Sequence, residues 1–311
     1  MVRPISALTD DRLAGAVVIV GVPFDGGVAL NGGRGGSAGG PGAFREAFAR
    51  VGAAFDAAAG EEVSVDVYDG GDVVVAVSGD EVGRLEETHA RVRLVFEALH
   101  SAGCTTVGVG GGHDLTAAMV EGAMAGRGVS GVGGVNIDPH LDVREEVGSG
   151  MPFRRLIERG VLEGSRYTTL GAGRFSNSGE HVRWLRARGG RVVTLEAARG
   201  VVPGQAGADL WGARVEESLR RGRLLGDGCE PGFVSFDLDA LDGSVGPGVS
   251  AVNAHGLTAA EAVAAAELVG EAPGVVHFDV MELCPEFDVD ARTARLAAQL
   301  AARFIAGACA R

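Results

Sequence analysis

Three short stretches of this chain carry side chains able to hold cations. In Val107-Gly-Val-Gly-Gly-Gly-His113-Asp114, an apolar run ends in contiguous glycines and an imidazole. Glycine there permits a tight turn that presents His113 at a sheet edge. The glycines are contiguous, so this is not the GxGxxG spacing of a dinucleotide site. In Val135-Asn-Ile-Asp138-Pro-His140-Leu-Asp142-Val-Arg144, two carboxylates and an imidazole alternate. Alternation places them on one side of an extended chain, where they can embrace a divalent ion. In Phe233-Val-Ser235-Phe-Asp237-Leu-Asp239-Ala-Leu-Asp242, carboxylates again follow an apolar run. Desolvating Asp237 and Asp239 side by side costs several kcal/mol unless cations compensate them. Asp242 reads as a turn or capping residue.

Pooled, these stretches offer His113, Asp138, His140, Asp142, Asp237 and Asp239, and no thiolate. Six ligands exceed what one tetrahedral zinc ion uses. An oxygen-rich set with two imidazoles suits a pair of hard to borderline ions, manganese foremost. Two ions ~3.5–4 Å apart can share one water and lower its pKa to near neutrality. The expectation is therefore two Mn²⁺ per chain and hydrolytic chemistry. A zinc-dependent amide deacetylase on a similar sheet is a rival that needs one ion and fewer carboxylates. A non-catalytic metal-binding or interaction protein is a further rival, against which the complete ligand set argues.

The remaining histidines read differently. His89, His100 and His181 fall in predicted helices and read as surface residues. His255 lies in a loop, and His277 reads as a strand end that could stand behind the site. Phe153, Phe175 and Trp184 read as packing residues.

The elements that position these groups alternate along the chain. Short β-branched runs at 17–22, 63–67, 105–109, 133–137, 167–170, 191–194, 233–236 and 275–278 read as strands. Their near-continuous apolar character suits parallel strands covered on both faces. Residues 85–99, 180–188, 210–219, 258–268 and 293–304 read as helices. This alternation predicts one open, doubly wound parallel α/β sheet of about eight strands with helices on both faces. In such sheets ligands sit outside the carboxyl ends of the strands, where all three polar stretches fall. The Gly-rich loops at 31–41 and 200–208 lie within the alternation. With no internal repeat and no linker, residues 1–311 read as a single domain.

Composition excludes several classes. All 28 basic residues are arginine, so a lysine Schiff base, a P-loop lysine and a protein-kinase lysine are absent. The net charge of −13, with no arginine stripe, argues against nucleic-acid binding. Glycine supplies 52 of 311 residues without a G-X-Y period, which excludes collagen. The four cysteines, Cys104, Cys229, Cys284 and Cys309, are scattered and read as reduced thiols of a cytoplasmic protein. No apolar run is long enough to span a membrane, and no signal layout opens the chain.

From Gly21 to about Leu300 the sequence resembles the ureohydrolase family of arginase, agmatinase and formimidoylglutamase. The likeness rests on Gly112-His113, Asp138 to Asp142, Ser235 to Asp239, and Glu282-Leu-Cys-Pro285. Pro139, Asp114 and Cys284 depart from the family pattern, and none of them removes a metal ligand. Within the family the likeness is closest to formimidoylglutamase, through Asp138 to Arg144 and Ser149-Gly-Met-Pro-Phe-Arg154. Asn31-Gly-Gly-Arg34, Gly40-Pro41 and Phe175-Ser-Asn177 add to it. The agmatinase His-Gly-Thr motif is absent at Ser149, and Met151 replaces a threonine.

The resemblance implies an arginase-like fold and Mn²⁺ at two sites. One ion would take His113, Asp138, Asp142 and Asp237; the other would take His140, Asp138, Asp237 and Asp239. It implies that Asp142 passes a proton to the leaving nitrogen and that Glu282 pairs with the amidinium. A capping contact beside Pro285 is the competing role for Glu282. Arg144, Ser149, Arg154 and Asn177 would meet the substrate. The implied substrate is an anionic amidine, N-formimidoyl-L-glutamate, with a guanidino compound as the alternative. A trimeric or hexameric homo-oligomer is also implied.

Overall fold

The computed structural model describes residues 3–4, 13–51, 55–56, 60–62, 65–200 and 210–309. Nine strands form one sheet: β1 (Arg3–Pro4), β2 (Val17–Gly21), β3 (Val67–Asp72), β4 (Thr105–Val109), β5 (Val132–Ile137), β6 (Leu162–Ala172), β7 (Arg191–Thr194), β8 (Gly232–Asp237) and β9 (Val275–Met281). Their spatial order is β1-β3-β2-β4-β9-β8-β5-β6-β7, and every pairing is parallel. The two-residue β1 flanks the eight strands the sequence predicts. Residues 55–56 and 61–62 form a separate antiparallel ribbon.

The chain lays down both flanks first and then returns through β8 and β9 to fill the centre. Every residue of β2, β5, β8 and β9 is buried, which explains why these strands read as unbroken apolar runs. One face is covered by α2 (Gly40–Phe48), α7 (Leu195–Ala198), α8 (Trp211–Arg221), α9 (Ala259–Glu271) and α10 (Arg292–Cys309). The other carries α3 (Glu81–Ser101), α4 (Leu115–Arg127), α5 (Pro152–Glu158) and α6 (Gly179–Ala187). The short α1 (Gly26–Leu30) stands beside the carboxyl end of the sheet.

Several expectations shift. The strand expected at 63–67 is found at β3, four residues later; residues 63–64 lie outside the described residues. The loop expected at 31–41 contains a 3₁₀ turn and the start of α2, with Pro41 in its first turn. The loop at 200–208 lies almost wholly outside the described residues. The sequence reading missed α4, and its burial explains why. Nine of its 13 residues are buried, so it has no polar face to mark a helical period. Gly122 lets it approach α3 closely: a Cβ there would lie 2.2 Å from the Arg93 carbonyl oxygen.

Candidate active site

Four adjacent strands at the centre of the sheet, β4-β9-β8-β5, deliver the polar stretches to one place. After β4, Gly111 and Gly112 run against Phe24, whose carbonyl accepts from Gly112 N at 3.0 Å. A Cβ on Gly111 would lie 1.9 Å from that oxygen. These glycines therefore permit backbone to meet backbone; neither adopts a positive φ. They hold His113 fully inside, with Nδ1 facing three carboxylates. It lies 2.8 Å from Asp142 Oδ2, 3.0 Å from Asp237 Oδ2 and 3.3 Å from Asp138 Oδ2.

Ligand atoms of His113, Asp138, Asp142 and Asp237 all lie within 4.8 Å of one another, and so do those of His140, Asp237 and Asp239. The two groups share Asp237. His140 Nδ1 is also 3.4 Å from Asp138 Oδ1, which ties Asp138 to the second group. The six residues expected to hold metal are thus brought together.

The route by which they converge differs from the expected extended strand. β5 ends at Ile137, and Asp138 Oδ1 accepts from His140 N at 2.6 Å to close a turn. Asp142 has a φ of 48°. Alternation along an extended chain therefore does not place Arg144 with the ligands. Arg144 is exposed, with its stem crossing Gly150, and it makes no ion pair among the described residues. After β8, Asp237 Oδ1 accepts from Asp239 N at 2.8 Å, and Asp239 Oδ1 accepts from Ala251 N at 3.0 Å. The loop of Ser250 and Ala251 closes over that side.

Charge crowding dominates the electrostatics. Burial, reinforced by the Asp138 charge, pushes the Asp237 carboxyl up to about 6. Burial and the neighbouring carboxylates also raise Asp142 and, more strongly, Asp239. Asp138 moves the other way: burial opposes its ionisation, but the close imidazoles of His113 and His140 hold it below the usual carboxylate range. Burial alone would depress both imidazoles. Asp237 and its neighbours instead raise His113, and Asp138 takes His140 to about 10. Protons substitute for cations in such a cluster. His113 Nδ1 also has no hydrogen-bond partner of acceptable geometry. An oxygen-rich donor set with two imidazoles and an excess of negative charge fits two divalent ions such as Mn²⁺.

Glu282 follows β9 at a φ of 67° and accepts from His113 N through Oε1 at 2.7 Å. Its Oε2 is buried without a partner, and burial with the Asp237 charge raises the carboxyl to about 8. Cys284 holds the N-cap position of the 3₁₀ turn at Pro285 without a side-chain capping bond, and the bond Glu282 accepts comes from His113 N instead. Asp142 and Glu282, two of the five non-glycine residues at positive φ among the described residues, both lie at the cluster.

The substrate-binding candidates divide. Ser149 N donates to Gly27 O at 2.9 Å and Ser149 Oγ bonds Asn31 Oδ1 at 3.3 Å, at the lip of the site. Arg154 is paired with Glu158 at 2.9 Å and Glu145 at 3.2 Å. Asn177 uses its amide on Leu141 N and the Pro139 carbonyl, clamping the loop that carries His140.

The other histidines correct the sequence reading. His89 and His100 are 3% and 2% exposed, not surface residues. His89 pairs with buried Asp114 at 2.7 Å. Both sit on α3, a helix covered on its inner side by α4, so helical location alone was a poor guide. His277 lies within β9, not at its end, and is fully buried. Phe153 packs edge-on against His113 as expected, with ring centroids 5.4 Å apart. Phe175 is 91% exposed and does not pack in the core. Sequence reasoning also missed Asp279. His113 Nε2 lies 2.9 Å from Ser235 Oγ, which donates to Asp279 Oδ1. An acid at the second position of an otherwise apolar strand segment, Phe278-Asp279-Val280, was the available signal.

A parallel sheet with a histidine- and aspartate-lined pair of cation positions at its carboxyl edge defines the class: the chain belongs to the arginase family, whose profile matches residues 15–307. Among relatives, the formimidoylglutamase of Halobacterium salinarum is 35% identical over 298 residues, spanning 94% of this chain and 87% of that one. The mitochondrial guanidino acid hydrolase of Homo sapiens is 30% identical over 244 residues, covering 76% of this chain and 63% of that protein. The crystal structure of Trypanosoma cruzi formiminoglutamase with Mn²⁺ superposes with a TM-score of 0.85 at 30% identity, covering 98% and 97% of the two chains.

Proposed function

We propose that this protein is a formimidoylglutamase, which hydrolyses N-formimidoyl-L-glutamate to L-glutamate and formamide in histidine breakdown. The observation that carries the reading is the meeting of six ligands beside a buried, half-partnered Glu282, in a chain whose relatives bear that name. His113, Asp138, Asp142 and Asp237 would hold one Mn²⁺ and His140, Asp138, Asp237 and Asp239 a second, and the pair would supply a strong nucleophile from water at neutral pH.

The chain's own residues do the rest. Glu282 Oε1 is fixed by His113 N, so Oε2 is free to accept an N–H of the amidinium in a charge-assisted bond. That contact aims the amidine carbon at the centre of the cluster. Asp142, at the edge of the cluster, takes up the proton that the attacking water gives up and passes it to the departing nitrogen. The C–N bond to glutamate breaks, and the amine leaves with that proton. Arg144, exposed and free of any ion pair among the described residues, is the proposed partner of a substrate carboxylate. Ser149 lines the same lip, while Arg154 and Asn177 hold the flanking loops. The continuous sheet supports reading the chain as one domain.

Hydrolysis of a guanidino acid is the second reading, favoured by the relative of that name. Incubation of the Mn²⁺-loaded protein with both substrate types separates them. Formamide and glutamate are expected. Urea from a guanidino acid, with no turnover of formimidoylglutamate, overturns the proposal.

A further inference from the structure

Behind His113 a line of polar side chains crosses the protein from the sheet edge to the far side of α4. Asp279 receives Ser235 Oγ on Oδ1, and its Oδ2 lies 3.1 Å from His277 Nε2. His277 Nδ1 is 2.8 Å from Thr106 Oγ1, and Thr106 Oγ1 is 2.9 Å from His100 Nε2. His100 Nδ1 accepts from Arg127 Nε at 3.3 Å. Thr106, His100, His277, Ser235 and Asp279 are all buried. Arg127 is partly exposed, also donates to the Cys104 carbonyl, and has no carboxylate partner among the described residues.

Arg127, which only donates, and the Asp279 carboxylate, which accepts from both sides, set the direction of the bonds between them. A guanidinium only donates, so His100 Nδ1 must accept. Neutral His100 then carries its proton on Nε2 and donates to Thr106. Burial holds His100 well below the ordinary imidazole value, which keeps it neutral. Thr106 has one hydroxyl proton, already facing a donor on one side, so it donates to His277 Nδ1. His277 therefore carries its proton on Nε2 and donates to Asp279, which as a carboxylate only accepts. Ser235 donates to the other oxygen of Asp279 and must accept from His113 Nε2. That leaves a lone pair on His113 Nδ1, the atom facing Asp138, Asp142 and Asp237.

We propose that Arg127, His100, Thr106 and His277 form a hydrogen-bond line that ends on Asp279 and holds it in place as the acceptor which, through Ser235, fixes the tautomer with which His113 meets its cation. These four are positioning residues, since none reaches the ligand cluster. The inference rests on the cluster's being a metal site and not on which amidine is hydrolysed. Failure of the substrate assignment leaves it untouched.

Two measurements test it. In metal-free protein carrying ¹⁵N-histidine, long-range ¹H–¹⁵N correlation reads the tautomers directly. His100 and His277 are expected as neutral Nε2–H forms. Finding either as the Nδ1–H form overturns the proposed direction. The second measurement is Mn²⁺ affinity by calorimetry. Thr106→Val keeps the volume but cuts the line at its middle, and Thr106→Ser keeps the hydroxyl. Changes to groups that orient metal ligands cost about 10–100-fold in affinity, and a remote break belongs near tenfold. Thr106→Val should thus bind Mn²⁺ about tenfold more weakly and lose the fixed His277 tautomer, and Thr106→Ser should restore both. Wild-type affinity in folded Thr106→Val overturns the proposal. Should that variant fail to fold, the wild-type tautomers decide alone.

Discussion

Under the proposed function, discrimination between substrates turns on Arg144. A planar guanidinium grips a carboxylate through two parallel bonds, and it repels the cationic tail of a substrate such as agmatine. Because Arg144 is exposed and free of any described ion pair, it pays no partner-exchange cost when an anion arrives. Arg144→Ala is expected to lose about 1.5–3 kcal/mol in kcat/KM on formimidoylglutamate, the scale of a charge-assisted bond. Mn²⁺ content should not change. Arg144→Lys should recover little, because a point charge cannot match the fork. Undiminished kcat/KM in Arg144→Ala, measured beside wild type, would remove Arg144 from the substrate's surroundings. The sequence made all six members of the cluster legible because carboxylates after apolar strands have few other reasons to exist. It did not show how Asp142 arrives, since a left-handed turn leaves no mark in an aspartate-rich stretch.

At the scale of elements, α3, α6, α8, α9 and α10 were legible, and α4, with nine of its 13 residues buried, was not. Thr258-Ala-Ala-Glu261 announces the start of α9, and the structure builds the complete capping box there. Glu261 also pairs with Arg199 at 2.7 Å, and that bond holds its carboxyl down at about 2. Its folded value is depressed, so the stabilisation is full above the unfolded value and fades as pH falls from about 5 toward about 2. Denaturant titrations of wild type and Glu261→Gln should therefore diverge most at neutral pH and draw together in acid. A gap independent of pH would show that the pairing contributes nothing through charge. In α4, alanine's better helix propensity favours Gly122→Ala by about 1 kcal/mol. A Cβ set 2.2 Å from the Arg93 carbonyl forces α3 and α4 apart, and overpacking of that kind costs about 1–3 kcal/mol. Because backbone cannot step aside as a side chain can, the clash should win. Gly122→Ala should lower the midpoint of unfolding yet keep the Mn²⁺ stoichiometry of wild type.

For the whole molecule, the ligand cluster joins the carboxyl ends of β4, β8 and β5, segments that lie far apart in sequence. Without cations the raised carboxyls of Asp142, Asp237 and Asp239 weigh against folding near neutral pH, while Asp138, His113 and His140 shift in the favourable direction. The carboxyl of Asp237 is raised to about 6, so near pH 8 its ionised form is disfavoured in the folded chain relative to the unfolded one. Cations reverse that sign, because they bind the folded arrangement and not the dispersed one. At a hundredfold excess over the dissociation constant, each site adds about 2.7 kcal/mol. In a chain of this size that corresponds to a rise in Tm of roughly 5 °C per site, at about 2 °C per kcal/mol. Chelation of the loaded protein should lower Tm by that order and abolish activity, and Mn²⁺ should restore both. Asp237→Asn separates the two effects, because it removes the carboxylate shared by both groups of ligands. Its metal-free form should melt no lower than metal-free wild type at pH 8, since a disfavoured charge is gone. Added Mn²⁺ should then raise its Tm little, and elemental analysis should find fewer than two ions bound. A Tm rise equal to wild type, with two ions retained, would show that Asp237 does not link the two positions.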